Sequence, residues 1–311
     1  MLPLLAAALA VCGVAQSEEL GPSFKYDLDA LRKTDPRLVL FAEVVPIPLG
    51  LAEPRAVAVA GADRILVAGD RRLLIFKNDG TPVAAFELAE PARCLAAVAD
   101  GTVYAGMRDH IEVLDAAGKR VAVWERLGEK AVLTSIAAGE SEVVAADAGN
   151  RLVWRFDRSG KNLGKLDGRD KELDVKGFLI PSPHFDLAFD RDGALWVVDP
   201  GRHTLRKYAP DGRILTTWGK TAMSIEGFCG CCNPTDIAMD RSGNFYTSEK
   251  GLVRVKLYGP DGAFVGVVAG PERFAEDDTG LDLAVDSAGR LLVLDPKAGK
   301  LRVFVRKEAR K

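Results

Sequence analysis

The sequence predicts an all-β protein, a six-bladed β-propeller of four-stranded blades whose ring is closed by an N-terminal strand. Three observations predict it. Five segments place an apolar or aromatic residue four positions before a turn glycine: Phe76–Gly80, Leu114–Gly118, Phe156–Gly160, Tyr208–Gly212 and Tyr258–Gly262. A sixth copy, Leu301-Arg302-Val303-Phe304, runs into the chain end, and successive anchors lie 38, 42, 52, 50 and 46 residues apart. Between anchors the chain alternates short apolar runs with Asp/Gly turns and shows no helical periodicity, the signature of strands joined by tight hairpins. A repeat of this length built from about four strands is a propeller blade.

Taken in order, Met1 to Ala15 is apolar or small and ends in Gly13-Val14-Ala15, a small-x-small pattern. It reads as a secretory signal too short to span a membrane, although no Lys or Arg precedes it. Export to the periplasm or outside the cell is the expectation. Leu9-Ala10-Val11-Cys12 offers lipid anchorage at Cys12 as an alternative, with Val11 larger than the residue such a site prefers. No later run of 18 apolar residues exists, so no transmembrane segment is expected. Residues 16–37 form a lead-in segment with a short helix expected around Tyr26–Lys33. The run Leu38–Val45 precedes the first blade. Because the sixth blade lacks a strand after Phe304, this run is expected to supply its outer strand and remove the open sheet edges. The propeller spans 38–307, and 308–311 is a basic tail.

The blades agree in detail. The fourth reads Phe185–Asp190, the turn Arg191-Asp192-Gly193, then Ala194–Asp199, Leu205–Tyr208 and Ile214–Trp218; the fifth repeats it from Asp236. The apolar-Ala-apolar-Asp pattern recurs at Ile237–Asp240 and Leu283–Asp286, and an acid ends the second strand before a polar loop, as at Asp147–Leu152. On these pieces, residues 50–305 resemble NHL repeats. The resemblance implies a propeller with a ligand site at its central channel. It does not choose a function, because this superfold hosts binding proteins, scaffolds, lyases and lactonases.

With 311 residues, 48% hydrophobic and 28% charged, the chain can bury a sizeable core. A formal net charge of -2 gives no basic footprint for nucleic acid. A protein partner or small ligand at the channel mouth is expected instead.

Counting seven residues back from Gly193, Gly243 and Gly289 gives Asp186, Asp236 and Asp282, and seven back from Gly101 gives Cys94. Thr134 and Ala56 fall at the corresponding level of blades three and one. Three acids and a thiol are therefore expected near the channel mouth as ligand-binding groups, unless the acids cap backbone amides as Asp does in turns. The stretch Gly227-Phe228-Cys229-Gly230-Cys231-Cys232-Asn233-Pro234 stands just before the innermost strand of blade five. Cys229, Cys231 and Cys232 suit Cu(I), Zn²⁺ or an iron–sulfur cluster, with Cys94 and His184 as further donors. The spacing C-x-C-C names no metal, and structural disulfides are the competing reading. Glu249-Lys250 places an ammonium beside an acid in the same blade, a candidate for anion binding or proton transfer, or a surface ion pair.

Nucleophile elbows, Walker loops and H-E-x-x-H are all missing from the sequence. The leading expectation is an exported propeller with a thiol-based metal or redox centre acting as an electron-transfer accessory. The alternatives are a non-catalytic protein-binding scaffold with a disulfide-stiffened loop, and a calcium-dependent, lactonase-like hydrolase using Asp186, Asp236, Asp282 and Glu249.

Overall fold

A computed structural model describes residues 28–308. The stretch read from sequence as a secretory leader, Cys12 and the last residues of the basic tail lie outside the described residues. Within them the chain builds six four-stranded antiparallel blades. Blade one comprises Pro54–Ala60, Arg64–Gly69, Arg72–Phe76 and Pro82–Glu87; blade two comprises Cys94–Ala97, Val103–Gly106, Ile111–Leu114 and Arg120–Val123. Blade three runs from Leu133–Ala138 to Asn162–Leu166, blade four from Leu187–Phe189 to Ile214–Trp218, and blade five from Asp236–Met239 to Phe264–Ala269. The first strand of each is innermost.

Blade six is assembled from both ends of the chain. Asp282–Val285, Leu291–Asp295 and Lys300–Arg306 come from the C-terminal side, and Phe41–Glu43 pairs antiparallel with the last of these, Phe41 opposite Arg306. The expected closing strand is thus present but shorter than Leu38–Val45. Upstream of it, Leu40 donates its amide to the Val267 carbonyl of blade five at 2.9 Å. Downstream, Ile47–Pro48 returns to pair with Leu301 and Lys300. Glu43 is held by Arg302 at 3.1 Å, and Arg302 also grips Asp295 at 2.7 Å. One guanidinium therefore ties the N-terminal strand to the C-terminal ones. Of the helix expected around Tyr26–Lys33, the described residues form a single turn, Leu28–Leu31.

The hairpins follow from local chemistry. In blade four Asp190 Oδ1 accepts the amides of Asp192 and Ala194, and in blade five Asp240 Oδ1 accepts those of Ser242 and Asn244. The carboxylate substitutes for a turn carbonyl. The glycine of each turn is obligatory where the chain also packs tightly: Gly262 has φ +78°, and a Cβ there would lie 2.5 Å from the Trp218 ring.

Six apolar clusters fill the six joints between neighbouring blades. Val57, Ile65 and Val67 of blade one pack on Leu292, Leu294 and Leu301 of blade six, which seals the ring. Trp196, Val198 and Leu205 pack on Phe228, Ile237 and Phe245 across the joint of blades four and five. The core is therefore distributed around the ring, and the axis is left to polar side chains. The wider anchor spacings have structural causes. A two-stranded hairpin, Arg169–Asp170 with Val175–Lys176, is inserted between blades three and four, and the cysteine loop is inserted between four and five.

Candidate functional site at the axial mouth

The innermost strands bring Ala56, Cys94, Asp186, Asp236 and Asp282 to one level, as their register shows: Ala56 faces Ala68, Cys94 faces Gly106, and Asp236 faces Ser248, each on its own second strand. In blade three a bulge after Leu133 puts Ser135, opposite Ala146, at that level in place of the expected Thr134. Thr134, Asp186, Asp236 and Asp282 line an axial cavity of about 360 Å³, together with Arg55, Arg93, His184 and Thr235. That volume suits a small ligand.

The acids do cap backbone amides, but those of the next blade rather than of a local turn. Asp186 Oδ2 accepts the Ile237 amide at 2.6 Å, Asp236 Oδ1 the Leu283 amide at 3.0 Å, and Asp282 Oδ2 the Val57 amide at 2.6 Å. Each carboxyl spans one inter-blade joint. Between blades three and four, Ser135 Oγ stands 3.4 Å from the Leu187 amide, and Thr134 Oγ1 donates to the Phe185 carbonyl at 2.6 Å.

Burial and mutual repulsion make these weak acids. Burial lifts Asp186 to about 7, opposed by hydrogen bonds from Ser135 and the Ile237 amide and reinforced by Asp282. Burial lifts Asp282 to about 6, partly offset by its hydrogen bond with Asp236. Asp236 is raised well above the carboxylate range, first by burial and then by Asp186 and Asp282. Around neutral pH the trio holds protons.

Above the acids the cavity turns positive. Arg55 is exposed and pairs with Glu53 at 2.5 Å. Arg93 is half-buried; its Nε donates to the Leu133 carbonyl of blade three at 3.2 Å. Among the described residues Arg93 forms no ion pair with a carboxylate. Burial and then the neighbouring Arg55 weaken its hold on its proton, the mark of a cation short of anionic partners. His184 is pushed down to about 4 by burial and by Lys250, so it is neutral at physiological pH.

The remaining candidates are placed elsewhere. Glu249 and Lys250 do not pair. Glu249 ends its strand and Lys250 begins the turn that follows: the Glu249 carboxylate is fully enclosed, 2.7 Å from Lys256 Nζ and 3.0 Å from Arg254 Nε. Lys250 Nζ instead donates to Ser182 Oγ at 3.1 Å. The hydrolase arrangement needed Glu249 beside the three aspartates, and the buried triad with Arg254 and Lys256 holds it away from the cavity lining.

The four thiols among the described residues also part company, and all four are free. Cys94 is buried in the channel wall with its sulfur 4.0 Å from the Gly106 carbonyl, and burial raises its thiol strongly. Cys229 is buried with its sulfur 4.0 Å from Arg254. Cys231 is exposed and Cys232 buried, their sulfurs 3.4 Å apart. Among the described residues no group of three or more His, Cys, Asp or Glu side chains is arranged to hold a metal ion. The expected donor set of Cys229, Cys231, Cys232, Cys94 and His184 is therefore not gathered at one point.

Several other acids are structural. Asp147 accepts the Val132 and Asn150 amides and the Trp154 indole N–H, and Asp199 pairs with Arg202 and Arg206. Asp295 binds Arg302 and the Ala298 amide. Sequence reasoning missed Arg55 and Arg93. The repeat register contained them, because each stands one residue before the channel level, ahead of Ala56 and Cys94.

Among known proteins, no family model matches the chain. Nor does any curated protein sequence. Solved structures do. A structural genomics protein of unknown function from Bacteroides thetaiotaomicron is 16% identical with a TM-score of 0.62, the match covering 86% of this chain and 72% of that one. Virginiamycin B lyase from Staphylococcus aureus is 13% identical with a TM-score of 0.60, covering 86% of this chain and 100% of the lyase. The WD40 β-propeller domain of Doa1 is 15% identical with a TM-score of 0.56, covering 82% and 79%. At these identities the likeness establishes the propeller fold and leaves function to the site.

Proposed function

We propose that this propeller is a non-catalytic binding module whose axial mouth takes a small ligand or polypeptide end carrying both charges. An ammonium group seats against Asp186, Asp236 and Asp282, and a carboxylate meets Arg93, with Arg55 at the rim. One observation carries the reading: a single cavity has three converging weak acids at its inner level and, nearer the solvent, an arginine with no carboxylate partner among the described residues. A purely anionic ligand would meet the acids, and a purely cationic one the guanidiniums, so the cavity favours a dipolar occupant. The apolar leader makes an exported location part of the proposal.

Calorimetric titration of the full chain with α-amino acids and short peptides tests it, with dicarboxylates and simple amines as controls. Binding restricted to dipolar ligands, weakened at least about tenfold by Arg93→Ala through loss of a charge-assisted bond, is the expected result. Equal binding of a dicarboxylate, or no effect of the substitution, would refute it.

A further inference from the structure

The cysteine loop stands outside the residues that line the axial cavity. Its shape is held firmly. The buried Asn233 side chain donates to the carbonyls of Cys229 at 2.5 Å and Lys250 at 3.0 Å, and accepts the Lys250 amide at 2.9 Å. This clamp fixes the preceding pair so that Cys231 faces solvent and Cys232 lies beneath it with no exposed surface, sulfur to sulfur at 3.4 Å. Close to Cys232, Ser182 Oγ accepts from the Lys250 ammonium at 3.1 Å. Burial raises the Cys232 thiol and the neighbouring Cys231 adds to this, while Ser182 and the charge of Lys250 offset it only in part.

We propose that Cys231 and Cys232 form a reversible dithiol–disulfide switch that exchanges with low-molecular-weight disulfides. The exposed Cys231 thiolate attacks one sulfur of the external disulfide. The external S–S bond breaks, one thiol leaves with the proton that Cys231 gave up, and Cys231 carries a mixed disulfide. The Cys232 sulfur, already in contact, then attacks the Cys231 sulfur. The second external thiol departs with the Cys232 proton, and a Cys231–Cys232 bond remains. Two protein thiols are oxidised by two electrons while one disulfide is reduced to two thiols.

Adjacent residues fix the character of the product. Their Cα atoms lie about 3.8 Å apart across a trans peptide, short of the roughly 4.4–6.8 Å that disulfides prefer. The bond closes under strain, so it is readily reduced, as labile and regulatory disulfides are. An exported location would supply the oxidising surroundings that make such a device useful. Cys229 and Cys94 take no part, since the first abuts Arg254 and the second packs on Gly106.

The test uses the reduced full chain, incubated with oxidised glutathione in the presence of a chelator, quenched, alkylated and analysed by intact mass and peptide mapping. Wild type should lose the mass of two hydrogens, confined to the peptide bearing Cys231 and Cys232, and regain it with reduced glutathione. Cys232→Ser should stop with one glutathionyl group on Cys231, and Cys231→Ser should leave the loop unmodified. Cys229→Ser should behave as wild type. A glutathionyl group persisting on wild-type Cys231, a bond to Cys229 or Cys94, or thiols that all remain alkylatable would overturn the proposal. In a parallel chelator-free sample, thiols shielded from alkylation until chelator is added would show a metal site instead, and would overturn it equally. The wild-type map decides the question even where a substituted chain fails to fold.

Discussion

Replacing Asp186 by Asn separates the two roles of that side chain. The amide oxygen of Asn can still accept from the Ile237 N–H, bonded at 2.6 Å in the native protein, so the inter-blade staple survives while ionisation is abolished. Asp186 titrates at about 7 in the folded chain against 3.8 for the ordinary group. A carboxyl with a raised folded pKa holds its proton more tightly in the native state. Its contribution is therefore most favourable below the unfolded value, falls as pH rises between the two values, and stays at its reduced level above the folded one. Holding such a group ionised in the folded state costs roughly 4 kcal/mol at pH 8, of which about 2–3 kcal/mol develops between pH 5 and pH 8. His184, held neutral with a value near 4, pulls the opposite way in the lower part of this window, so the wild-type curve alone does not isolate Asp186. The difference between variant and wild type does. Urea unfolding at both pH values should show Asp186→Asn gaining about 2–3 kcal/mol on wild type as pH rises from 5 to 8. A pH-independent difference, or one of opposite sign, would refute the assignment of Asp186 as a buried weak acid. Asp186→Ala should cost about 1–3 kcal/mol even at pH 5, because it leaves the Ile237 amide without an acceptor.

Other expectations follow from the same contacts. Glu249→Ala strands Arg254 and Lys256 as enclosed cations and should cost about 3–5 kcal/mol in chemical denaturation, whereas loss of a surface pair would cost under about 1 kcal/mol. Burial brings Lys256 down to about 8, despite the attraction of Glu249, so its contribution to stability should grow as pH rises from about 8 towards 10.5; Lys256→Met should abolish that slope in urea titrations. Phe41→Ala empties a buried position in the closing strand, where the ring meets Tyr246 edge-on at 5.9 Å. It should cost about 3–5 kcal/mol and speed hydrogen exchange along Lys300–Arg306, read by mass spectrometry.

The parts of the structure legible in the sequence are those written locally. Asp–x–x–Gly turns fold by their own side-chain and glycine chemistry, so anchors, blade number and the level of Asp186, Asp236 and Asp282 could be read directly. Ring closure was legible because the sixth blade lacked a strand and one apolar run had no other place. What escaped depends on direction and on neighbours far along the chain. Glu249 and Lys250 look like a pair in sequence, yet one ends its strand inside a buried triad and the other turns away to Ser182. Cys94 shares the channel level with the acids, but its sulfur packs against Gly106. The acids' partners, amides of the following blade, lie about 50 to 225 residues away in sequence and leave no local signal.

Proton release during ligand binding tests the axial site most directly. An ammonium group placed against the three acids favours their ionised forms and must expel protons near neutral pH, where Asp186 and Asp282 titrate. Calorimetry of one dipolar ligand in buffers of different ionisation enthalpy measures this. The expected result is net proton release at about pH 7, reduced in Asp186→Asn. Binding with no proton exchange, or with proton uptake, would contradict the placement of the ammonium at the acids.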